Sequence, residues 1–355
     1  MHMKQILCGT NLTQNKSGIK QVWRGTSLAW NKSGMEQIRY TVLKYVSKQI
    51  YNNAIHIWPL YSHTLARSFK RAANYYTRQT NHLTHKDMEK SGKDSMDKRR
   101  IRLTIAYDGT KYCGWQIQPN ALSVQEVLNE ALAHLLGAQV RTIGASRTDA
   151  GVHARGNVVI FDTFSRIPAD KFSFALNTWL PDDVKVQASE EVAPDWHPHF
   201  TDSIKTYEYK ILNRQLPDPT RRLDSLFCYG RLDLEAMRQA ASYFVGTHDF
   251  ASFAAGGGAT AQAEHSSYET PEKHGTVRTI FQSELFKEHE MIRFVVSGNG
   301  FLYNMVRIMA GTLLEVGRGI LPADAIPEIL AKKDRSAAGP TAPAHGLTLL
   351  SISYK

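Results

Sequence analysis

The pattern of apolar and polar positions is clearest after residue 100. Ile101, Leu103, Ile105 and Tyr107 alternate with polar neighbours, which predicts a half-buried strand ended by Asp108-Gly109. Ser123 to Glu126 has the form of a capping box. Behind it Val124, Val127, Leu128, Ala131, Leu132, Leu135 and Leu136 share one helical face, and Gly137 supplies a stop. Strands are predicted near 140–145, 157–164 and 184–192, with a helix over 169–179 that stops before Pro181. The second half repeats the order: strand 206–212, a helix capped by Asp233 running to about 245, and strands 277–285 and 292–297. Helices 301–316 and 323–332 and a last strand 347–354 complete it. The recurrence predicts an α/β (α+β) fold of two related units, each with a mostly antiparallel sheet. Residues 254–275, rich in Gly, Ala, Ser and Glu, read as a surface loop.

Between the third and fourth of these elements lies Arg147-Thr148-Asp149-Ala150-Gly151-Val152-His153-Ala154. An arginine and a carboxylate two residues apart sit on a Gly-containing turn between strands. Gly151 permits close approach of backbone, rigid elements hold the loop on both sides, and a nearby arginine can keep the aspartate ionised. By residue chemistry alone, Asp149 could equally cap its own turn.

The octet resembles the signature loop of the TruA-type tRNA pseudouridine synthases. Four further segments agree, in the family's order: Tyr107 to Gln116, Ser123 to Glu126, Lys205 to Ile211, and Phe301 to Arg307. The resemblance covers about residues 101 to 355. It implies two ferredoxin-like halves forming one continuous sheet flanked by helices, with the active-site cleft between them. On this reading residues 101–200 are the half carrying the nucleophile loop, and 201–355 are the C-terminal half. The resemblance makes Asp149 the catalytic carboxylate, Tyr207 the active-site tyrosine, and Arg307 a second arginine paired with Asp149. Arg147 is a substrate-binding residue by its place in the octet, able to pair with a phosphate or fill the space a flipped base leaves. The implied substrate is tRNA, at anticodon-arm uridines 38 to 40. The implied assembly is a cytoplasmic homodimer whose subunits jointly hold one tRNA. One departure stands out: many members carry a basic residue after Asp-Phe-x-Ser-Phe, but here Asp249 to Phe253 is followed by Ala254.

Charge changes the picture of the rest. The chain of 355 residues carries a net +10. Residues 1 to 100 hold 18 Lys and Arg against 5 Asp and Glu, and residues 101 to 355 hold 25 against 28. The basic balance therefore belongs to the first hundred residues, and RNA binding by the rest needs a local basic cleft. That first segment matches nothing in the family. It holds a short repeat (Gly9 to Gly18 and Gly25 to Gly34) and a near-helical apolar spacing at Ile38, Val42, Val46 and Ile50. It reads as a poorly ordered basic extension, with Met88 and Met96 as candidate starts just before the first strand. Three scattered cysteines fit a reducing compartment rather than a disulfide framework. No stretch reaches the ~18 apolar residues of a membrane span, and no secretory signal is visible.

The chemistry reads simply. Moving the C1′ bond of uridine from N1 to C5 is redox-neutral, so no cofactor is expected. It needs a base lifted from its stack, a carboxylate and a group to handle the C5 proton. Tyr207 and Tyr209 share a strand face, and only the resemblance selects Tyr207. Arg307, among Met305, Val306, Ile308 and Met309, is costly to bury unpaired; an acid other than Asp149 would satisfy it equally well. His153, His197 and His199 lack a ligand set, so no metal is expected. Ser297-Gly298-Asn299-Gly300 lacks the lysine of a phosphate loop. Two rivals remain: an RNA-binding module without catalysis, and a nucleoside glycosidase, which would want two close carboxylates.

Overall fold

The computed structural model describes residues 97–119, 121–255 and 275–355. The repeat, the helical spacing at 38–50 and most of the Gly-rich loop lie outside them. The described strands form one sheet in the order β4-β1-β3-β10-β5-β9-β8-β7, with β2 paired to β3 and β6 to β5. These are β1 (Arg99–Tyr107), β2 (Ile143–Gly144), β3 (His153–Thr163), β4 (Val184–Val192) and β5 (Ser203–Asn213). Next come β6 (Leu226–Cys228), β7 (Gly246–Asp249), β8 (Val277–Glu288), β9 (Met291–Gly298) and β10 (Leu347–Tyr354). Pairing is antiparallel except for β10 with β3 and β6 with β5. Helices α1 (Val124–Leu136), α2 (Phe172–Asn177), α3 (Leu234–Ser242), α4 (Met305–Gly317) and α5 (Ala325–Lys332) accompany the sheet. The expected mixed fold with a mostly antiparallel sheet is therefore what forms.

The last strand joins the two sequence halves: β10 lies between β3 and β5. Ile101, Leu103 and Ile105 are fully buried, as the alternation requires. β3 is buried along most of both faces, as a central strand should be. The Ser123 hydroxyl accepts from the Glu126 N–H at 3.2 Å, and Gly137 closes α1 at φ +69°. Elsewhere the elements differ in extent. The strand expected near 140–145 pairs only at Ile143–Gly144. There Gly144 lies under Trp115, whose ring a Cβ would meet at 2.5 Å. The helix expected over 169–179 is a short 3-10 turn and then α2. Among the described residues, no helix is long and apolar enough to cross a membrane.

Candidate active site

The octet leaves β2 as extended chain, turns at Ala150-Gly151 and enters β3 at His153. Gly151 takes φ +78°, and the Val152 N–H donates to the Asp149 carbonyl at 3.1 Å. The loop is buttressed by the segment after β1. The Trp115 N–H donates to the Thr148 carbonyl at 3.0 Å, and the Gly151 N–H to the Tyr112 carbonyl at 3.2 Å. Close approach of other backbone to the octet occurs at Gly109 and Gly114 rather than at Gly151. A Cβ on Gly109 would lie 2.0 Å from the Val152 oxygen, and one on Gly114 (φ +87°) 2.5 Å from the Thr148 oxygen. Two separate sequence motifs are thus one packed unit.

Asp149 and Arg307, 158 residues apart, meet at 3.3 Å. Arg307 sits on α4, where every other residue but Glu315 is buried. Its Nη1 also donates to Asn304 Oδ1 at 2.6 Å, and its Nε to the Ala342 carbonyl at 2.8 Å. Asn304 precedes the helix at φ 60°, a left-handed conformation that asparagine tolerates better than most residues. Sequence reasoning gave Asn304 no role. Its place three residues before Arg307 was the available signal. Burial pushes the Asp149 carboxyl above its ordinary value, although Arg307 pulls it the other way. The site therefore holds an anion that burial penalises and one arginine only partly relieves.

The cation that tempers Asp149 is Arg307, rather than Arg147 as the octet alone suggested. Arg147 is exposed on the loop and has no ion pair among the described residues. Between them, Thr148 is buried while Asp149 is part-exposed, as alternation along extended chain requires.

Tyr207 enters from β5 and is 7 % exposed. Its hydroxyl shares a 2.9 Å hydrogen bond with Ser146 Oγ, and its ring meets Phe301 edge-on at 5.1 Å. Burial pushes the phenol up to about 12, with the Asp149 charge adding to the shift, so it stays neutral near pH 7. Tyr209 has a different place: it is fully buried, and its hydroxyl donates to the Pro343 carbonyl at 2.8 Å. The structure thus separates the two tyrosines that spacing could not. His153 is nearly buried; the Gly109 N–H donates to its Nδ1 at 3.1 Å, and its Nε2 lies 3.2 Å from the His345 carbonyl. That histidine ties the turn after β1 to the octet. Three of the four expected residues, Asp149, Arg307 and Tyr207, come together.

Comparison with known proteins finds relatives of one family. A family profile described as tRNA pseudouridine synthase matches residues 103–201 and 240–355. A tRNA pseudouridine synthase A of Acetivibrio thermocellus is 47% identical over 256 residues, covering 72% of this chain and 100% of the relative. One from Ruminiclostridium cellulolyticum is 49% identical over 257 residues, with the same coverage. One from Pelobacter propionicus is 45% identical over 256 residues, again spanning its whole length.

Proposed function

Since this chain belongs to the tRNA pseudouridine synthase family, isomerases that convert uridine in tRNA to pseudouridine, we propose that Asp149 is its catalytic carboxylate and that its targets are anticodon-arm uridines 38, 39 and 40. The observation that carries this reading is the 3.3 Å pair between Asp149 and Arg307, formed from segments far apart in sequence and closed by Asn304 and Ala342. A turn-capping aspartate needs no such apparatus.

The target base is lifted from its stack into the cleft. The Asp149 carboxylate serves the step in which the bond from C1′ to N1 breaks and C1′ rejoins at C5. Arg307 favours the ionised carboxylate against the cost of burial, and its three acceptors fix its direction. Tyr207 offers a ring edge and face to the uracil. Its neutral hydroxyl, held by Ser146, can carry a proton only as part of a hydrogen-bonded chain. Arg147, exposed and unpaired among the described residues, is placed to meet a phosphate or the gap in the stack. We read the protein as a cytoplasmic homodimer on the family resemblance.

The test is a single-turnover assay of pseudouridine formation with Asp149→Asn. The rate should fall by several orders of magnitude, while tRNA affinity stays within about threefold, because phosphate contacts and stacking hold the RNA. A folded variant with a near-parental rate sinks the assignment. If the chain were a binding module without catalysis, the parent itself would form no pseudouridine.

A further inference from the structure

Beneath the octet lies a set of buried polar side chains. Tyr107 ends β1 at 4 % exposure, in line with the fully buried Ile101, Leu103 and Ile105. A phenylalanine would fill that place by the rule its neighbours follow. Instead its hydroxyl shares a 2.7 Å hydrogen bond with Thr148 Oγ1 and accepts a longer one, 3.4 Å, from Asn157 Nδ2. Asn157 is fully buried on β3, and the same Nδ2 donates to the Ser146 carbonyl at 3.1 Å. Ser146 Oγ in turn pairs with the Tyr207 hydroxyl at 2.9 Å. The Asn157 Oδ1 is buried with no hydrogen-bond partner among the described residues. Burying polar groups is costly, most of all when one is left unmatched. Apolar groups of the same shape can fill such a place at little or no cost, so stability alone does not account for the choice.

The sheet order supplies the reason. Asp149 is followed by β3, and Tyr207 lies on β5, but β10 runs between these strands. No backbone ladder joins the two directly. The polar network does: one end grips Thr148, the residue before Asp149, and the other ends on the Tyr207 hydroxyl. Resting on the assignment of Asp149 and Tyr207 above, we propose that Tyr107 and Asn157 are positioning residues for the isomerisation, holding the carboxylate and the phenol at a fixed separation through Thr148 and Ser146.

The rival is a network that only supports the fold. Tyr107→Phe, Thr148→Val and the double variant separate the two. Each single change leaves one buried hydroxyl without its partner, so melting temperature should fall. The double change replaces both partners by apolar groups of similar shape, and stability should recover. If the network positions the site, the single-turnover rate falls roughly 10- to 100-fold in each single variant, since a misplacement of about 1 Å costs about that much. It then stays low in the double variant although its melting temperature has returned. tRNA affinity should remain within about threefold throughout. Rates that recover together with stability, or single variants with parental rates, overturn the proposal. Ser146→Ala provides a second route from the other end of the network; it unties the Tyr207 hydroxyl and should lower the rate per folded molecule without lowering tRNA affinity, and a parental rate there also counts against positioning. Asp149→Asn serves as the control. If that variant stays active, the underlying assignment fails whatever the network does.

Discussion

At the scale of single residues, Asp149 is a carboxylate held where burial works against its charge. Its folded carboxyl holds a proton to higher pH than in the unfolded chain, because burial outweighs the pull of Arg307. Over the interval between the two values the folded state binds more protons, so this group's contribution to stability falls as pH rises from about 4 through the folded value. Asp149→Asn removes that penalty, and Arg307 keeps two neutral acceptors, Asn304 and Ala342. The variant should therefore melt no lower than the parent at pH 7. Any gain in melting temperature should shrink towards pH 4; a loss that is largest at neutral pH contradicts this balance. Arg307→Met acts in the opposite sense. It leaves burial unopposed, so the Asp149 value rises further and the acid limb of the rate profile should move to higher pH. An unmoved limb would detach Arg307 from the carboxylate. The pairing of Asp149 with Arg307 was legible in the sequence through the family-like motifs that carry both residues. Ser146, Thr148, Asn157 and Asn304 were not assigned roles, because a buried hydroxyl or amide declares itself only through its partners.

At the scale of elements, the site depends on the segment from Tyr107 to Trp115 as much as on the octet. Gly114→Ala forces an alanine to φ +87° with its Cβ 2.5 Å from the Thr148 oxygen. It should cost about 1–3 kcal/mol or more and lower the rate per folded molecule, because Thr148 adjoins Asp149. Ser123→Ala is the contrast. Loss of the α1 cap should cost about 1 kcal/mol with no change in rate per folded molecule. Chemical denaturation and single-turnover assays on both variants check the pair; equal rates in the two would show that the buttress does not reach the site. Strongly periodic elements were readable: β4 and β10 begin and end where the pattern does. β7, Gly246–Asp249, was not, because a four-residue edge strand without apolar alternation carries no periodic signal. α4 was expected from Phe301, whose apolar spacing looks helical. It starts at Met305 because Asn304 is left-handed, and that break is what aims Asn304 at Arg307.

At the scale of the whole molecule, the recurring order of elements did not say which strands would meet at the centre of the sheet. The parallel pairing of β10 with β3 is between strands nearly two hundred residues apart and leaves no local trace. The charge split has consequences here. The matched region begins at residue 103, and relatives are spanned end to end by about 72% of this chain. A chain beginning at Met96 should keep both its melting temperature and its tRNA-modifying rate; loss of either would make the basic segment part of the working enzyme. In that shortened protein, with residues 101 to 355 net negative at 25 basic against 28 acidic residues, log affinity for tRNA should still fall linearly with log salt. A flat response would argue against a basic cleft. The central claim is that this molecule isomerises anticodon-arm uridines through Asp149. It is tested most directly by mapping pseudouridine, position by position, in an unmodified tRNA transcript with uridines at 38, 39 and 40, after exposure to the parent protein or to Asp149→Asn. The account predicts pseudouridine at those positions with the parent and none with the variant; modification elsewhere in the transcript, or undiminished modification by the variant, would contradict it.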